Sequence, residues 1–183
     1  MDSFLVNAGS YLISTIIGLY IIIVLLRFLL QMVRADFYNP LSQFIVKATS
    51  PVLKPMRRII PGLFGVDIAS LLLAYGLQVI ENALLFAFKG ISLNPLFLLW
   101  YSIGSLLTLL LYIYFFAILI QVIVSWVSPG TYNPVTAIIH QISEPVMRPA
   151  RKILPPFSGM DLSPILVFIG LNILLMLIPV VFS

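Results

Sequence analysis

The stretch YNPLSQFIVKATSPVLKPMRRIIPGLFGVD, residues 38–67, decides the fold because the chain contains it twice. Residues 132–161 read YNPVTAIIHQISEPVMRPARKILPPFSGMD, and twelve of the thirty aligned positions are identical without a gap. Chance similarity between apolar segments matches Leu with Leu, but it does not match Pro, Asn, Asp and Arg at one spacing. The sequence therefore indicates two tandem copies, which we place at residues 1–94 and 95–183.

The composition excludes a water-soluble protein. Of the 183 residues, 61% are hydrophobic and 9% are charged, whereas soluble domains have about 45–50% apolar and about 25% charged residues. So few charges cannot cover a surface that faces water. A soluble cytosolic enzyme and a disordered chain are excluded on this ground, and the absence of Cys excludes a disulfide-stapled module. The composition indicates an integral membrane protein.

Each copy holds two apolar stretches of the length that a membrane-spanning helix needs, about 20 residues. The first stretch lacks the basic start and the cleavage site of a signal peptide, so we interpret it as a retained span. Two spans per copy make the copies enter the membrane in the same direction, as parallel repeats. We predict an all-α membrane protein with four spans in a pseudo-twofold arrangement, at about residues 11–33, 69–88, 107–127 and 163–182.

The basic residues predict the orientation. Eight of the ten Lys and Arg residues lie between the first and second spans or between the third and fourth. Cytoplasmic loops carry such an excess of Lys and Arg, so both basic loops are expected in the cytoplasm and both termini on the periplasmic side. The net charge of +4 favours anionic lipid as a partner and does not call for nucleic acid.

The repeated stretch predicts short helices between the spans of each copy. Asn39-Pro40 and Asn133-Pro134 are typical helix starts, because Asn caps free backbone amides and Pro suits the first helical position. Apolar residues follow at helical spacing over a segment too short to cross a bilayer. We expect Pro51 and Pro145 to break each segment, which gives interfacial helices at about residues 40–60 and 134–154.

Basic side chains share one face of these predicted helices. An apolar stripe backed by Lys and Arg is typical of a helix that lies in the membrane interface. The face predicts docking of anionic lipid headgroups or of a protein partner; alternatively, the helices only cap the spans and their charges only set the topology. The residues concerned are Lys47, Lys54, Arg57, Arg58, Arg148, Arg151 and Lys152.

Asp67 and Asp161 precede the second and fourth spans. Asp is a preferred helix N-cap residue, which is the simpler interpretation of both positions. The alternative is a functional carboxylate at the mouth of the bundle.

Among the polar residues inside the predicted spans, we single out Arg27, Gln78, Glu81 and Asn172. Polar side chains are costly in hydrocarbon, so we expect them to face the bundle interior, with Arg27 close enough to pair with Gln78. They either lock the helices together by hydrogen bonds or line a path for ions or protons. Gly76 and Gly170, two residues before Gln78 and Asn172, predict a close helix crossing.

The sequence shows no catalytic or metal-binding pattern. His140 is the only histidine and there is no Cys, so thiolate and multi-histidine metal sites are not expected. No nucleophile elbow, phosphate-binding glycine loop or zinc helix motif is present. We therefore predict a non-enzymatic protein without a metal or a cofactor.

The repeated unit resembles the YggT family. The resemblance rests on Asn-Pro, on Pro-Val-[Leu/Met]-[Lys/Arg]-Pro-x-Arg, on Gly-x-Asp, and on the stretches at residues 36–40 and 125–129, and it covers nearly the whole chain. It implies a bacterial inner-membrane protein of the two-copy form. Bacterial members are linked to osmotic-stress tolerance, cation balance, division and envelope functions, and plastid relatives to cytochrome assembly and nucleoid distribution. The family supplies no agreed catalytic residues.

Two functions follow as hypotheses. The first is a scaffold or assembly protein that presents its basic helices to the cytoplasmic leaflet and works with a membrane protein partner or with further copies of itself. The second is a small cation-transport protein that uses the polar residues inside the spans. A continuous water-lined route through the bundle favours transport, whereas a closely packed centre favours the scaffold.

Overall fold

The computed structural model describes residues 2–62, 65–92, 94–127, 133–155 and 161–182. These residues form helices joined by short connections, in agreement with the predicted all-α class. The six helices are α1 (Asp2–Met32), α2 (Pro40–Ile59), α3 (Ile68–Phe88), α4 (Pro95–Val127), α5 (Pro134–Ile153) and α6 (Ser163–Phe182).

Four of the helices, α1, α3, α4 and α6, are long and apolar enough to cross a membrane. The prediction of a multi-pass membrane protein with four spans is confirmed, and two of the helices begin well before the predicted spans. Helix α1 begins at Asp2 rather than near residue 11, and α4 begins at Pro95 rather than near residue 107. The reason for the early start of α4 is local: Asn94 Oδ1 accepts a hydrogen bond of 2.9 Å from the backbone amide of Leu96, and Pro95 suits the first helical position.

Helices α2 and α5 each run for 20 residues without a break. The predicted breaks at Pro51 and Pro145 are wrong, because both prolines lie inside a continuous helix. The Asn-Pro starts are as expected, since the side chains of Asn39 and Asn133 each accept a hydrogen bond of 2.9 Å from the backbone amide two residues later. Proline removes one backbone donor, but packing outweighs this cost: the buried face of α2 continues across Pro51 from Thr49 to Leu53.

The spans of each copy pack against each other, α1 on α3 and α4 on α6, and α3 joins the copies by packing on α4. Helices α2 and α5 also touch, and Asn39 Nδ2 donates a hydrogen bond of 2.7 Å to the carbonyl of Pro134. We call the side of the bundle that carries α2 and α5 the loop side. The opposite side, where α1 begins and α6 ends, is the terminal side.

The pseudo-twofold arrangement is incomplete. The contact of α3 with α4 has its equivalent in a contact of α6 with α1, yet among the described residues α6 touches only α4 and α5. Helix α6 therefore keeps a wide exposed apolar face, which includes Ile169, Ile173, Met176 and Val180. The close crossing predicted at Gly76 and Gly170 is also wrong, because a Cβ on either glycine meets no atom within 4 Å.

Close contacts occur instead on the terminal side. A Cβ on Gly104 would lie 2.5 Å from Cβ of Phe182, so α4 and α6 approach each other only because this position has no side chain. The Phe182 ring stacks on Trp100 with centroids 4.7 Å apart, and Trp100 Nε1 donates 3.1 Å to the carbonyl of Val181. Gly104 thus fixes where the last turn of α6 sits.

Candidate functional site

Asp67 holds three helices together on the loop side of the first copy. It is the N-cap of α3, with a backbone amide of Ser70 as donor, and it is 3% exposed. The Arg57 guanidinium and the Ser70 hydroxyl both donate to Oδ2 of Asp67. Arg57 also donates a hydrogen bond of 3.3 Å to Oε1 of Gln31 in α1. The simpler interpretation of Asp67, a helix cap, describes the structure, and the cap carries an ion pair as well.

The second copy repeats this arrangement with Asp161 and Arg151. Arg151 Nε lies 3.0 Å from Oδ2 of Asp161, and Oδ1 accepts from the amide of Ser163 at 2.9 Å. Glu144 adds a second carboxylate, 2.7 Å from Nη1 of Arg151. The sequence reasoning missed Glu144, although it precedes Arg151 by seven residues, which is two helical turns and therefore the same face.

Both aspartates have pKa values below the ordinary one. Burial alone raises the pKa of Asp67, but the hydrogen bonds from Arg57 and Ser70 outweigh it and lower the pKa overall. At Asp161, burial likewise opposes ionisation, and the hydrogen bonds from Ser163 and Arg151 lower the pKa. Both groups are therefore ionised partners of an arginine at neutral pH.

These shifts predict acid sensitivity. A carboxyl with a lowered pKa in the folded state stabilises the fold above its unfolded pKa, about 3.9 for Asp, and loses this contribution as the pH falls through the folded pKa. We expect the thermal midpoint of the solubilised protein to be flat from pH 7 to 5 and to fall below pH 4. Asp67→Asn should be less stable at pH 7 and should show a shallower fall. Equal acid slopes in wild type and variant would contradict the assignment.

The remaining basic residues of α2 and α5 form no ion pair within the described part of the chain. Arg57 and Arg151 are partly buried in the ion pairs above, whereas five other side chains are exposed and form no ion pair among the described residues. Lys54 and Arg58 are four residues apart, as are Arg148 and Lys152, so each pair shares a helix face. We call these five residues the basic row: Lys47, Lys54, Arg58, Arg148 and Lys152.

A second candidate site is a cavity of about 580 Å³ between α1, α3, α4 and α6 towards the terminal side. Gln78 and Glu81 line it and are both buried, and Gln78 Nε2 donates 3.1 Å to Oε2 of Glu81. We call it the Glu81 cavity. Asn82, which the sequence reasoning did not single out as a site residue, is buried beside it and donates 3.0 Å to the hydroxyl of Ser102 in α4.

Arg27 and Asn172 are not part of this cavity. The expected pair of Arg27 with Gln78 is wrong, because Gln78 bonds Glu81 one turn away on its own helix. Arg27 instead lies within electrostatic range of Arg57 and Asp67, and its Nη1 is buried without a hydrogen-bond partner in the described structure. Asn172 is exposed and donates 2.8 Å to the carbonyl of Phe168 in its own helix. It was expected to face the interior, but α6 lacks a neighbour on that side.

The polar lining of the cavity ends towards the loop side. Ile21, Val24, Leu25 and Ala74 are at most 2% exposed and pack together there. A second cavity of about 550 Å³ shares Ile22, Leu109 and Tyr112 with the Glu81 cavity and extends to α2 and α5, and its lining is almost entirely apolar. The bundle therefore has a packed apolar layer between α1 and α3, with apolar space beside it rather than a continuous polar route.

The fold and the repeated loop define a class: a four-span membrane protein built from two span–helix–span units. The family model described as CCB3/YggT matches residues 6–88 and again residues 100–182. The chain belongs to this family, and the resemblance noted from the sequence is confirmed.

Similar chains occur in several bacteria. An uncharacterized protein of Pseudomonas aeruginosa is 50% identical over 174 residues, covering 94% of this chain and 88% of the relative. An uncharacterized protein in the proC 3′ region of Vibrio alginolyticus is 46% identical, covering 91% and 90%. The uncharacterized protein YggT of Escherichia coli is 40% identical, covering 92% and 87%. No solved structure matches the chain.

Proposed function

We propose that this protein is a non-enzymatic scaffold of the bacterial inner membrane that docks its basic row on anionic headgroups of the cytoplasmic leaflet. One observation carries the proposal: five exposed Lys and Arg side chains on two adjoining helices have no acidic partner among the described residues. Arg57 and Arg151 are engaged in ion pairs with Asp67 and Asp161. The side chains of the basic row have no such partner in the described structure and are available for binding. Its position follows the orientation predicted from the charged loops.

The surroundings of the basic row suit a membrane interface. Large apolar side chains of the same two helices are exposed beside it, among them Phe44, Ile59 and Ile153. A helix with exposed apolar and basic residues together lies at the boundary between headgroups and acyl chains. Each cation near an anionic leaflet contributes about 1 kcal/mol, so the row supplies about 5 kcal/mol at low salt.

The exposed face of α6 offers a place for the partner that a scaffold requires. Ile169, Ile173, Met176 and Val180 are exposed and follow each other at helical spacing along it. The scaffold hypothesis implies that a membrane protein partner or a second copy of this chain covers this face. The envelope and osmotic-stress functions that the family resemblance implies are compatible with a scaffold that binds anionic lipid and assembles other proteins.

The Glu81 cavity favours cation transport as a second candidate. Gln78 and Glu81 line it as that hypothesis requires, but Arg27 and Asn172 do not. The space that continues from it towards α2 and α5 is lined almost entirely by apolar side chains. A cation would have to cross this apolar stretch without polar ligands, so we place the scaffold first.

Lipid selectivity tests the scaffold. In nanodiscs that contain phosphatidylglycerol and phosphatidylcholine, the wild type should retain phosphatidylglycerol preferentially, as measured by spin-labelled lipid, and 0.5 M salt should weaken the preference. Replacing the five residues of the basic row by Gln should abolish it. Matched controls are Lys89→Gln, which removes an exposed charge on the terminal side, and a variant that exchanges Lys and Arg within the row. Unchanged selectivity in the Gln variant, or reporter fusions that place Lys54 outside the cytoplasm, would overturn the proposal.

A further inference from the structure

The Glu81 cavity has the size and the lining of a ligand site. Its volume of about 580 Å³ lies within the range of about 300–1,000 Å³ for small-molecule sites, which are mostly apolar with a few polar groups. Apolar side chains such as Leu19, Leu109 and Ile178 form much of its wall. A site of this kind selects a molecule that is apolar over most of its length and polar at one end.

Glu81 is a buried carboxyl group that has no cationic partner within the described structure. The side chain is 7% exposed, and no Lys, Arg or His forms an ion pair with it in the described structure. Gln78 occupies Oε2, while Oε1 lies 3.7 Å from the position that a Cβ on Gly18 would take at the cavity wall. A buried carboxylate is costly unless it is paired and hydrogen-bonded, so the cavity favours a cation that brings N–H donors.

The same cavity holds further hydrogen-bond acceptors. The hydroxyl-bearing residues Ser14, Thr15, Ser105 and Thr108 line it from α1 and α4. The Ser14 hydroxyl donates to a backbone carbonyl one turn earlier, which leaves its oxygen lone pairs available to a ligand. The Ser105 hydroxyl also donates one turn earlier and accepts from Asn82 at 3.3 Å, so one lone pair remains there. A carboxylate and hydroxyl oxygens are acceptors that suit the three N–H groups of an ammonium.

The missing contact between α6 and α1 opens the cavity sideways. Both helices line it, with Gly18 on α1 and Pro179 on α6, yet among the described residues no Cα atom of α6 lies within 8 Å of one in α1 or α3. A gap between two spans faces the hydrocarbon of the bilayer. A ligand with an apolar tail therefore has a route of entry within the membrane and a place for its tail.

We propose that the Glu81 cavity binds an amphiphilic primary amine, with its ammonium group on Oε1 of Glu81 and its hydrocarbon chain in the gap between α1 and α6. The chemistry is shared by free long-chain amines and by phospholipids with an ethanolamine headgroup. A bare alkali ion fits less well, since it would leave most of the cavity and its apolar wall unfilled.

Binding of dodecylamine to the detergent-solubilised full-length protein tests the site, with native mass spectrometry as the readout. Dodecanol serves as the matched ligand without the charge. We expect dodecylamine to bind the wild type at least about tenfold more tightly than it binds Glu81→Gln, because a hydrogen bond to a charged group is lost. Gln at position 81 can still accept from Gln78, so the variant should fold. Dodecanol should not distinguish the two proteins.

Matched variants separate the site from general effects. Gly18→Leu fills the cavity at a position where an added Cβ makes only an ordinary van der Waals contact. It should weaken dodecylamine binding about as much as Glu81→Gln does. Gly170→Leu adds the same side chain on the exposed face of α6, and Asp36→Asn removes an exposed carboxylate; neither should matter. Phosphatidylethanolamine that binds with the same dependence on Glu81, while phosphatidylcholine does not, identifies a lipid source; failure of phosphatidylethanolamine identifies free amines.

Three results would overturn the proposal. Equal dodecylamine binding by the wild type and Glu81→Gln would show that the carboxylate does not bind the amine. Equal binding of dodecanol and dodecylamine by the wild type shows an apolar pocket only. Displacement of dodecylamine by K⁺ alone, in the wild type and not in Glu81→Gln, shows an alkali-ion site instead.

Discussion

Replacing Arg57 by Gln should destabilise the folded protein by about 3 kcal/mol, whereas Arg58→Gln should change its stability by less than about 0.5 kcal/mol. The two arginines are neighbours in sequence with different surroundings. Arg57 donates to Asp67, whose side chain is 3% exposed, so its loss leaves a buried carboxylate without its charge partner. Because Arg57 is itself 34% exposed, we expect the lower end of the range of about 3–5 kcal/mol for broken buried pairs.

Reversible unfolding in mixed detergent micelles measures this difference, with Arg58→Gln as the matched control on the same helical turn. Arg57→Lys should recover only part of the loss, since it keeps the charge but its ammonium does not occupy the position from which Nη2 of Arg57 donates to both Asp67 and Gln31. Arg151→Gln should cost less than Arg57→Gln, because Asp161 is 33% exposed and water replaces the lost partner. Equal stabilities of Arg57→Gln and Arg58→Gln would show that the ion pair does not hold the three helices.

Replacing Gly104 by Leu should destabilise the second copy by about 3 kcal/mol, at the upper end of what overpacking usually costs. A Cβ at this position would lie 2.5 Å from Cβ of Phe182, an atom close to the backbone that no rotamer change can move away. The last turn of α6 must therefore shift, and with it the stacking of Phe182 on Trp100. Because the shift moves one wall of the Glu81 cavity, we also expect an altered dodecylamine affinity.

Gly170→Leu is the matched control, since a Cβ there meets no atom within 4 Å. Its stability should stay close to that of the wild type, and leucine even favours the helix over glycine. Unfolding in mixed micelles measures the stability, and Trp100 fluorescence in a Trp126→Phe background reports the displacement of the Phe182 ring. A Gly104→Leu protein as stable as Gly170→Leu would mean that α4 and α6 do not approach each other at this point.

The elements of the fold could be predicted from the sequence because the bilayer allows few solutions. Backbone polar groups in hydrocarbon must be satisfied within the segment, so a stretch of about 20 apolar residues is a helix whatever its neighbours are. The tandem copies followed from identities such as Pro55 with Pro149, and the Asn-Pro helix starts followed from local capping chemistry. The helix boundaries were harder to predict, because hydropathy does not detect the Asn94-Pro95 helix start, which begins α4 twelve residues before the predicted span.

The partners of the polar residues required the tertiary structure. The sequence determined that basic residues occupy one face of α2 and α5, but a pattern of spacing does not give the burial of each side chain. Only the tertiary structure distinguishes Arg57, which pairs with Asp67, from the exposed Arg58. Gln78 and Glu81 were recognisable as polar residues in a span, whereas the cavity around them exists because α6 does not close on α1. Helix formation depends on local spacing, but burial and pairing depend on which faces of separate helices meet, and these contacts join residues far apart in the chain.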